Sequence, residues 1–93
     1  MDLRPDEVSL VGQWITRDGG VFADEACQRI AWLVENRLRK LATDESGWDV
    51  LYEDPVDGRL WERIYPDSGM HGGGPPALIL IPLHEAEAKY RSG

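Results

Sequence analysis

The side chains that could carry out chemistry are few in this sequence. The only histidines are His71 and His84, and no second histidine stands four residues after His84, as a zinc-protease helix would require. The lone thiol, Cys27, falls on an apolar helical face, where cysteines are usually buried and inert. No nucleophile elbow or triad context surrounds the serines, which are Ser9, Ser46, Ser68 and Ser92. The sequence therefore predicts no enzymatic activity, no metal site and no cofactor.

The glycine-rich segment 68–76 is the most unusual part of the chain. Its consecutive glycines, Gly72, Gly73 and Gly74, could present backbone N–H groups to an anion. A phosphate-binding loop would continue with Lys and Ser or Thr, whereas here Pro75 follows and Pro76 comes after it. A shaped surface loop is the favoured interpretation. The alternative is a small metal- or anion-binding domain, or an enzyme, that uses His71 together with the Gly72–Gly74 loop.

Carboxylates are concentrated in residues 44–57, a stretch that contains no Lys or Arg. An ordinary solvated face would explain such a run. The alternative is a negative patch that steers a basic protein toward the chain and raises the association rate. The carboxylates concerned are Asp44, Glu45, Asp49, Glu53, Asp54 and Asp57.

Length and charge limit the class of protein. The 93 residues predict a single domain over 1–93, and 17 acidic against 10 basic residues give a formal net charge of -7. That charge argues against nucleic acid or anionic lipid as the main partner. The N-terminus has no apolar run of the kind a secretion signal needs, and the longest apolar run, 77–81, is too short to span a bilayer. With one cysteine, a reducing cytoplasmic location is expected.

Hydrophobic periodicity predicts the elements that must position these residues. A first strand is predicted within 8–15, followed by a turn at Arg17-Asp18-Gly19-Gly20. Apolar residues at intervals of three or four predict a long helix over 23–42, and alternation predicts a hairpin of strands at 48–53 and 60–65. A strand covered on both faces is predicted at 77–83 and a short helix at 84–91. The fold class is therefore α+β: a mainly antiparallel sheet packed against one long helix, with a short C-terminal helix.

Four tryptophans are many for a chain of this length. At least two are expected to anchor the core, because each buries a large apolar surface. The others are expected to be partly exposed, where tryptophan often makes the strongest contacts of a protein interface. The tryptophans are Trp14, Trp32, Trp48 and Trp61.

Four short stretches, in this order and spacing, resemble the bacterial immunity protein family 27 over residues 5–90. The stretches are Gly12-Gln13-Trp14-Ile15, Cys27-Gln28-Arg29-Ile30-Ala31-Trp32-Leu33, Gly47-Trp48-Asp49-Val50-Leu51-Tyr52 and Met70-His71-Gly72-Gly73-Gly74-Pro75-Pro76. The resemblance implies a protein that binds a cognate polymorphic toxin domain and blocks it in the producing cell, during contact-dependent inhibition between competing bacteria. It implies no catalytic residue. Since many such toxins are nucleases with basic surfaces, a nuclease-type toxin domain is the expected partner, and the oligomeric state is left open, with a monomer as the default.

The toxin-contacting residues are predicted on physical grounds. The acidic hairpin and the glycine-rich loop are expected to cover the active-site cleft of the toxin or a neighbouring surface. The predicted contacts are Asp49, Glu53, Asp54, Asp57, Trp61, His71, Gly72, Gly73 and Gly74.

Overall fold

The computed structural model describes residues 2–66 and 74–90, and the α+β class is confirmed there. The chain order is β1 (Ser9–Val11), β2 (Trp14–Arg17), β3 (Gly20–Ala23), α1 (Glu25–Asn36), β4 (Arg39–Thr43), β5 (Val50–Glu53), β6 (Leu60–Ile64), β7 (Ala77–Leu80) and α2 (Leu83–Lys89). Five strands form one antiparallel sheet in the order β1-β7-β6-β5-β4, and β2 and β3 form a separate two-stranded sheet. In this part of the chain, neither helix is long and apolar enough to cross a membrane.

Helix α1 is shorter than the sequence predicts. Asp24 caps its start by accepting a hydrogen bond from the Cys27 N–H at 2.9 Å. It ends at Asn36, where the N–H groups of Arg37 and Leu38 both donate to the Leu33 carbonyl. The predicted helix is therefore present, but its predicted extent over 23–42 is wrong, because α1 has only 12 residues.

Strand β4 follows in place of the last turns of the predicted helix. Leu38 keeps the helical spacing and is buried in the core, which is why the apolar period continued past the end of α1. Residues 39–43 instead pair with β5, with an irregularity between Lys40 and Ala42. Pairing with β5 thus overrides the local helical pattern, because it satisfies the backbone groups of the sheet edge.

The first predicted strand divides into two at Gly12. The Gly12 N–H donates to the Pro76 carbonyl at 2.9 Å, so the backbone lies against the segment that precedes β7. A Cβ at position 12 would lie 2.5 Å from Cys27 Sγ and 2.6 Å from the Pro76 oxygen. Only glycine fits this approach, and the chain then leaves the main sheet to form β2.

The predicted turn after residue 17 forms and closes a hairpin between β2 and β3. Arg17 pairs with Gly20 across the turn. Asp18 and Gly19 both have positive φ, at 51° and 78°. Two such residues make the type I′ turn that matches the twist of a two-residue hairpin. Strand β3 itself was not predicted, although this Asp-Gly pair is its signal.

The five-stranded sheet carries helix α1 on one face. The predicted β5–β6 hairpin is confirmed, with Tyr52 opposite Trp61. Trp61 is completely buried, and the side chains packed around it on this face exclude water. Burying a side chain of this size contributes on the order of 2 to 3 kcal/mol. The buried members of this core are Ile30, Leu33, Leu38, Val50, Tyr52, Trp61 and Leu78.

Helix α2 covers part of the opposite face. Leu51, Ile81 and Ala86 form a smaller buried cluster there. Ala77 and Leu78, which are neighbours in β7 and so point to opposite faces, are both buried, as predicted. The strand predicted over 77–83 ends earlier, at Leu80, and Leu83 already belongs to α2. The short helix predicted at 84–91 is α2, which starts one residue earlier and ends at Lys89, with Tyr90 as its C-cap.

Candidate protein-binding surface

The Asp57 carboxylate, a predicted toxin contact, is bound to the chain itself. It accepts the Arg59 backbone N–H at 3.0 Å and lies 2.6 Å from Arg59 Nε, and these two hydrogen bonds lower the pKa of Asp57. The Arg59 guanidinium then donates to the backbone carbonyls of Arg4, Pro5 and Glu7. Asp57 therefore orients the arginine that holds residues 4–7 against the sheet.

Three more predicted contacts also have internal roles. The Asp54 carboxylate is buried and accepts the Val56 N–H at 2.9 Å, which stabilises the β5–β6 turn. Glu53 forms an ion pair with Arg39 of the neighbouring strand β4. Trp61 has no exposed surface, so its side chain is part of the core and lies beyond the reach of a partner.

The glycine-rich loop falls mostly outside the described residues. His71, Gly72 and Gly73 lie there, so toxin contact by these residues, and the alternative metal or anion site, stay predictions. Gly74 is described: it is buried and has a φ of 71°, a backbone conformation that favours glycine. Within residues 2–66 and 74–90, no group of three or more His, Cys, Asp or Glu side chains is arranged to hold a metal ion.

The loop from Asp44 to Asp49 presents an exposed tryptophan. Asp44 Oδ1 accepts the Ser46 hydroxyl at 2.7 Å and the Gly47 N–H at 3.0 Å, while Ser46 Oγ accepts the Trp48 N–H at 3.1 Å. Gly47 has a φ of 81°, which closes the turn. Trp48 leaves this turn with 54% of its surface exposed. Its ring meets Tyr65 edge to face, with the ring centroids 5.6 Å apart, so the exposed indole is held in place.

A cleft of about 540 Å³ opens beside this indole. It lies between the 44–49 loop, the end of β6 and the last turn of α2. The residues that line it are Ser46, Trp48, Asp49, Glu62, Ile64, Tyr65, Pro66 and Lys89. We call this site the Trp48 cleft.

Ionised groups cluster at the floor of the Trp48 cleft. Lys89 Nζ lies 2.7 Å from an Asp49 oxygen and 2.5 Å from a Glu62 oxygen, and the Tyr90 hydroxyl donates to Glu62 at 2.7 Å. Burial disfavours the charged form of Lys89, but the hydrogen bonds to Asp49 and Glu62 outweigh it and raise the lysine pKa. Burial, reinforced by Glu62, raises the pKa of Tyr90. The hydrogen bond from the Ser46 hydroxyl lowers the pKa of Asp44, and the charge of Lys89 makes a smaller contribution in the same direction.

This cluster gives the cleft a negative charge. Three carboxylates (Asp44, Asp49 and Glu62) lie around the Lys89 ammonium group, and the Arg63 guanidinium approaches the Trp48 carbonyl at 3.5 Å, so these five groups together carry a formal charge of -1. Glu45 adds an exposed carboxylate beside them in the chain. An exposed indole next to carboxylates can bind a Lys or Arg side chain of another protein by cation–π contact and ion pairing.

Of the predicted contacts that lie within residues 2–66 and 74–90, the structure places Asp49 alone in the Trp48 cleft. Asp49 comes together there with Glu62 and Lys89, which the sequence analysis did not single out. The Asp-Glu-Ser-Gly turn before Trp48 is a local signal for an exposed loop tip. Lys89 and Glu62 meet only through the packing of α2 on the sheet, which no local pattern indicates.

Comparison with known proteins identifies one family. The sequence pattern of the family described as Immunity protein 27 matches residues 16–82. The matched range includes Trp48, Asp49 and Glu62, and it ends before Lys89. No curated protein and no solved structure matches the chain.

Proposed function

Because this chain belongs to the immunity protein 27 family, we propose that it binds a cognate toxin domain in the cytoplasm of the producing cell and blocks it stoichiometrically. The observation that carries the proposed binding site is the Trp48 cleft, where an exposed, buttressed indole adjoins a net negative cluster. Inhibition of this kind requires only binding, so no catalytic group of the chain takes part.

The charge of the chain favours a basic toxin domain of the nuclease type. Its formal net charge is -7, and a protein of this charge attracts a basic partner over a distance of about one Debye length. Covering the basic surface with which a nuclease holds its substrate would block the enzyme sterically and electrostatically. The charge complementarity between this acidic chain and a basic toxin would also raise the specificity of binding, since an acidic protein would be repelled.

Within the Trp48 cleft, we expect the indole to be the main contact and the carboxylates to orient it. Tryptophan is enriched among the interface residues whose truncation is most costly. A Lys or Arg side chain of the toxin that stacks on the Trp48 ring would lie near Glu45 and Asp49. It could replace Lys89 as the ion-pair partner of Asp49. The side chain of Asp49 is 23% exposed, which leaves one edge open to such an exchange.

Co-expression with the toxin domain encoded beside the gene for this chain tests the proposal. We expect cells to survive and a 1:1 complex to be purified. Trp48→Ala should weaken binding by at least about 2 kcal/mol, or roughly 30-fold in Kd. Val56→Ala is the matched control, because Val56 is 88% exposed at the opposite end of the β5–β6 hairpin. Equal affinity for both variants would place the interface elsewhere, and cell death without a complex would overturn the immunity function.

A further inference from the structure

The β2–β3 hairpin has two unpaired edges. It forms its own two-stranded sheet, and no other strand of residues 2–66 or 74–90 hydrogen-bonds to it. Its base is fixed nonetheless: the Asp24 N–H donates to the Gln13 carbonyl at 3.1 Å, and Gly12 is held against Pro76. The hairpin is therefore an anchored ribbon with open sides.

The hydrogen bond between Gln13 and Asp24 determines which backbone groups face outward. In an antiparallel pair, hydrogen-bonded and non-hydrogen-bonded pairs alternate. The pairing of Gln13 with Asp24 therefore directs the N–H and C=O of Val21 and Ala23 away from β2. The Ala23 carbonyl accepts the Gln28 amide at 3.4 Å. Three groups on the β3 edge have no hydrogen bond within the described chain: the Val21 N–H, the Val21 C=O and the Ala23 N–H.

The side chains of β3 include no charged residue or proline that would prevent pairing with another strand. The strand has the sequence Gly-Val-Phe-Ala, and Val21 and Phe22 are 66% and 53% exposed. By contrast, the edge strand β4 carries Arg39, Lys40 and an irregular register, features that protect sheet edges from unwanted pairing. An apolar, uncharged edge without such features is a template for strand addition.

Charge at the two ends of β3 selects the partner. Asp18 stands in the turn before the strand, and Asp24, whose carboxylate also caps α1 and keeps its negative charge, follows it. If Val21 paired with Val21 of a second copy in antiparallel fashion, Asp18 of each copy would face Asp24 of the other, and like charges placed opposite each other destabilise a strand pair. A basic strand would instead be attracted at both ends. On the β2 edge, Arg17 would repel such a strand.

We propose that the β3 edge, Gly20–Ala23, adds a strand of the toxin: a short apolar segment flanked by Lys or Arg. This inference rests on the proposed function and adds a second point of contact to it. Both contacts lie at the same end of the main sheet, since Leu10, Leu78, Arg63 and Val50 stand in register across four strands. Three strand spacings, roughly 14 Å, separate the β1 end that leads to the hairpin from the β5 start that follows Trp48. One toxin domain can therefore span both.

A pair of proline variants tests the proposal in the full chain with the purified toxin domain. Val21→Pro removes an outward N–H from β3, and Thr16→Pro removes one from β2. Neither substitution breaks a bond within the hairpin. We expect Val21→Pro to raise the Kd about tenfold or more, since it removes an intermolecular hydrogen bond and blocks close approach. Thr16→Pro should stay within about twofold of the unmodified chain.

Amide hydrogen exchange on the unmodified chain provides a second measurement that does not depend on a variant folding. We expect the Val21 N–H to become protected when the toxin domain binds, while the Thr16 N–H is unchanged. An unprotected Val21 amide, or equal affinities for the two proline variants, would overturn strand addition even if Trp48→Ala weakens binding and the immunity function holds. A free chain that sediments as a dimer, and as a monomer after Val21→Pro, would show instead that a second copy occupies the edge. If the unmodified chain fails to bind the toxin domain, both proposals fall together.

Discussion

The Asp57 carboxylate and the Arg59 guanidinium, 2.6 Å apart, fasten the β5–β6 turn to the start of the chain. This carboxylate belongs to an acidic run that suggests a patch for a partner, yet its charge is used within the fold. Asp54 in the same turn is likewise occupied by a backbone N–H. The two ends of the β5–β6 hairpin therefore differ. The carboxylates of its turn are engaged within the fold, whereas the end next to Trp48 is exposed and borders the cleft.

Replacing Asp57 with Asn should affect stability and leave toxin binding unchanged. The variant loses the ion pair with Arg59, and because both side chains are partly exposed we expect at most about 1 kcal/mol of destabilisation. Hydrogen exchange in residues 4–8 should become faster, since their carbonyls depend on Arg59. Thermal unfolding and toxin binding measured side by side check this. A loss of affinity with unchanged stability would mean that Asp57 contacts the toxin after all.

Reversing the charge of Glu45 should slow association. Glu45→Lys changes the net charge by two units beside the Trp48 cleft, so we expect the association rate constant to fall several-fold at low salt. The difference in association rate constant between the variant and the unmodified chain should decrease as the salt concentration approaches about 1 M, where the Debye length is about 3 Å. Glu35→Lys makes the same change in net charge on the exposed side of α1 and serves as the control. Equal slowing by both variants, measured by stopped-flow fluorescence, would indicate that overall charge alone steers the encounter.

The ion pair between Glu7 and Arg29 should make stability depend on pH in the acid range. Both Glu7 oxygens accept Arg29 N–H groups at 2.6 Å, and this lowers the pKa of Glu7 from 4.5 to about 2. Since the folded pKa lies below the unfolded one, the stabilisation is complete above about pH 4.5 and is lost as the pH falls toward about 2.

Glu7→Gln should therefore lower the free energy of unfolding by on the order of 2 kcal/mol at pH 7. The difference in unfolding free energy between the variant and the unmodified chain should decrease progressively below about pH 4.5. Urea unfolding followed by tryptophan fluorescence at several pH values measures it, with the exposed Glu35→Gln as control. A gap that is constant between pH 7 and pH 3 would contradict this account of Glu7.

Gly12→Ala should destabilise the junction between the main sheet and the β2–β3 hairpin. The new Cβ would lie 2.6 Å from the Pro76 oxygen, a backbone atom that cannot move without shifting β7, so we expect a loss of about 2 to 3 kcal/mol. Gly20→Ala is the matched control in the same ribbon. There the Cβ meets the Phe22 ring at 3.0 Å, and that exposed ring can rotate away. Similar melting temperatures for the two variants would show that the junction can accommodate a methyl group at position 12.

The sequence predicts the elements whose signals are local. The Asp18-Gly19 turn, the alternation around Tyr52 and Trp61, and the apolar run of β7 all lie where they were expected. The end of α1 was missed because Leu38 and Leu41 extend the helical period into β4, whose pairing with β5 involves residues 7 to 14 positions away. Tertiary pairing of this kind overrides a local pattern.

The candidate site was less predictable, because the sequence shows which residues are charged and not which charges are paired. Arg59 reaches carbonyls more than 50 positions earlier in the chain, and Lys89 pairs with Asp49 40 positions earlier. These long-range partners decide that Asp57 stabilises the fold while the Asp49 carboxylate borders an open cleft. Trp48 and Trp61 likewise look equivalent in sequence, and only the packing of α1 buries one and leaves the other exposed.

The separation between the turn end and the Trp48 end of the β5–β6 hairpin also bears on how this chain can evolve. Substitutions at the proposed contacts Glu45, Trp48 and Val21 alter side chains that are largely exposed, so the proposed toxin-binding surface can vary with little loss of folding free energy. Substitutions at Asp54, Asp57 or Trp61 carry a stability cost whatever the partner. A lineage of such inhibitors can therefore follow a changing toxin by varying one end of the molecule while the other preserves the fold.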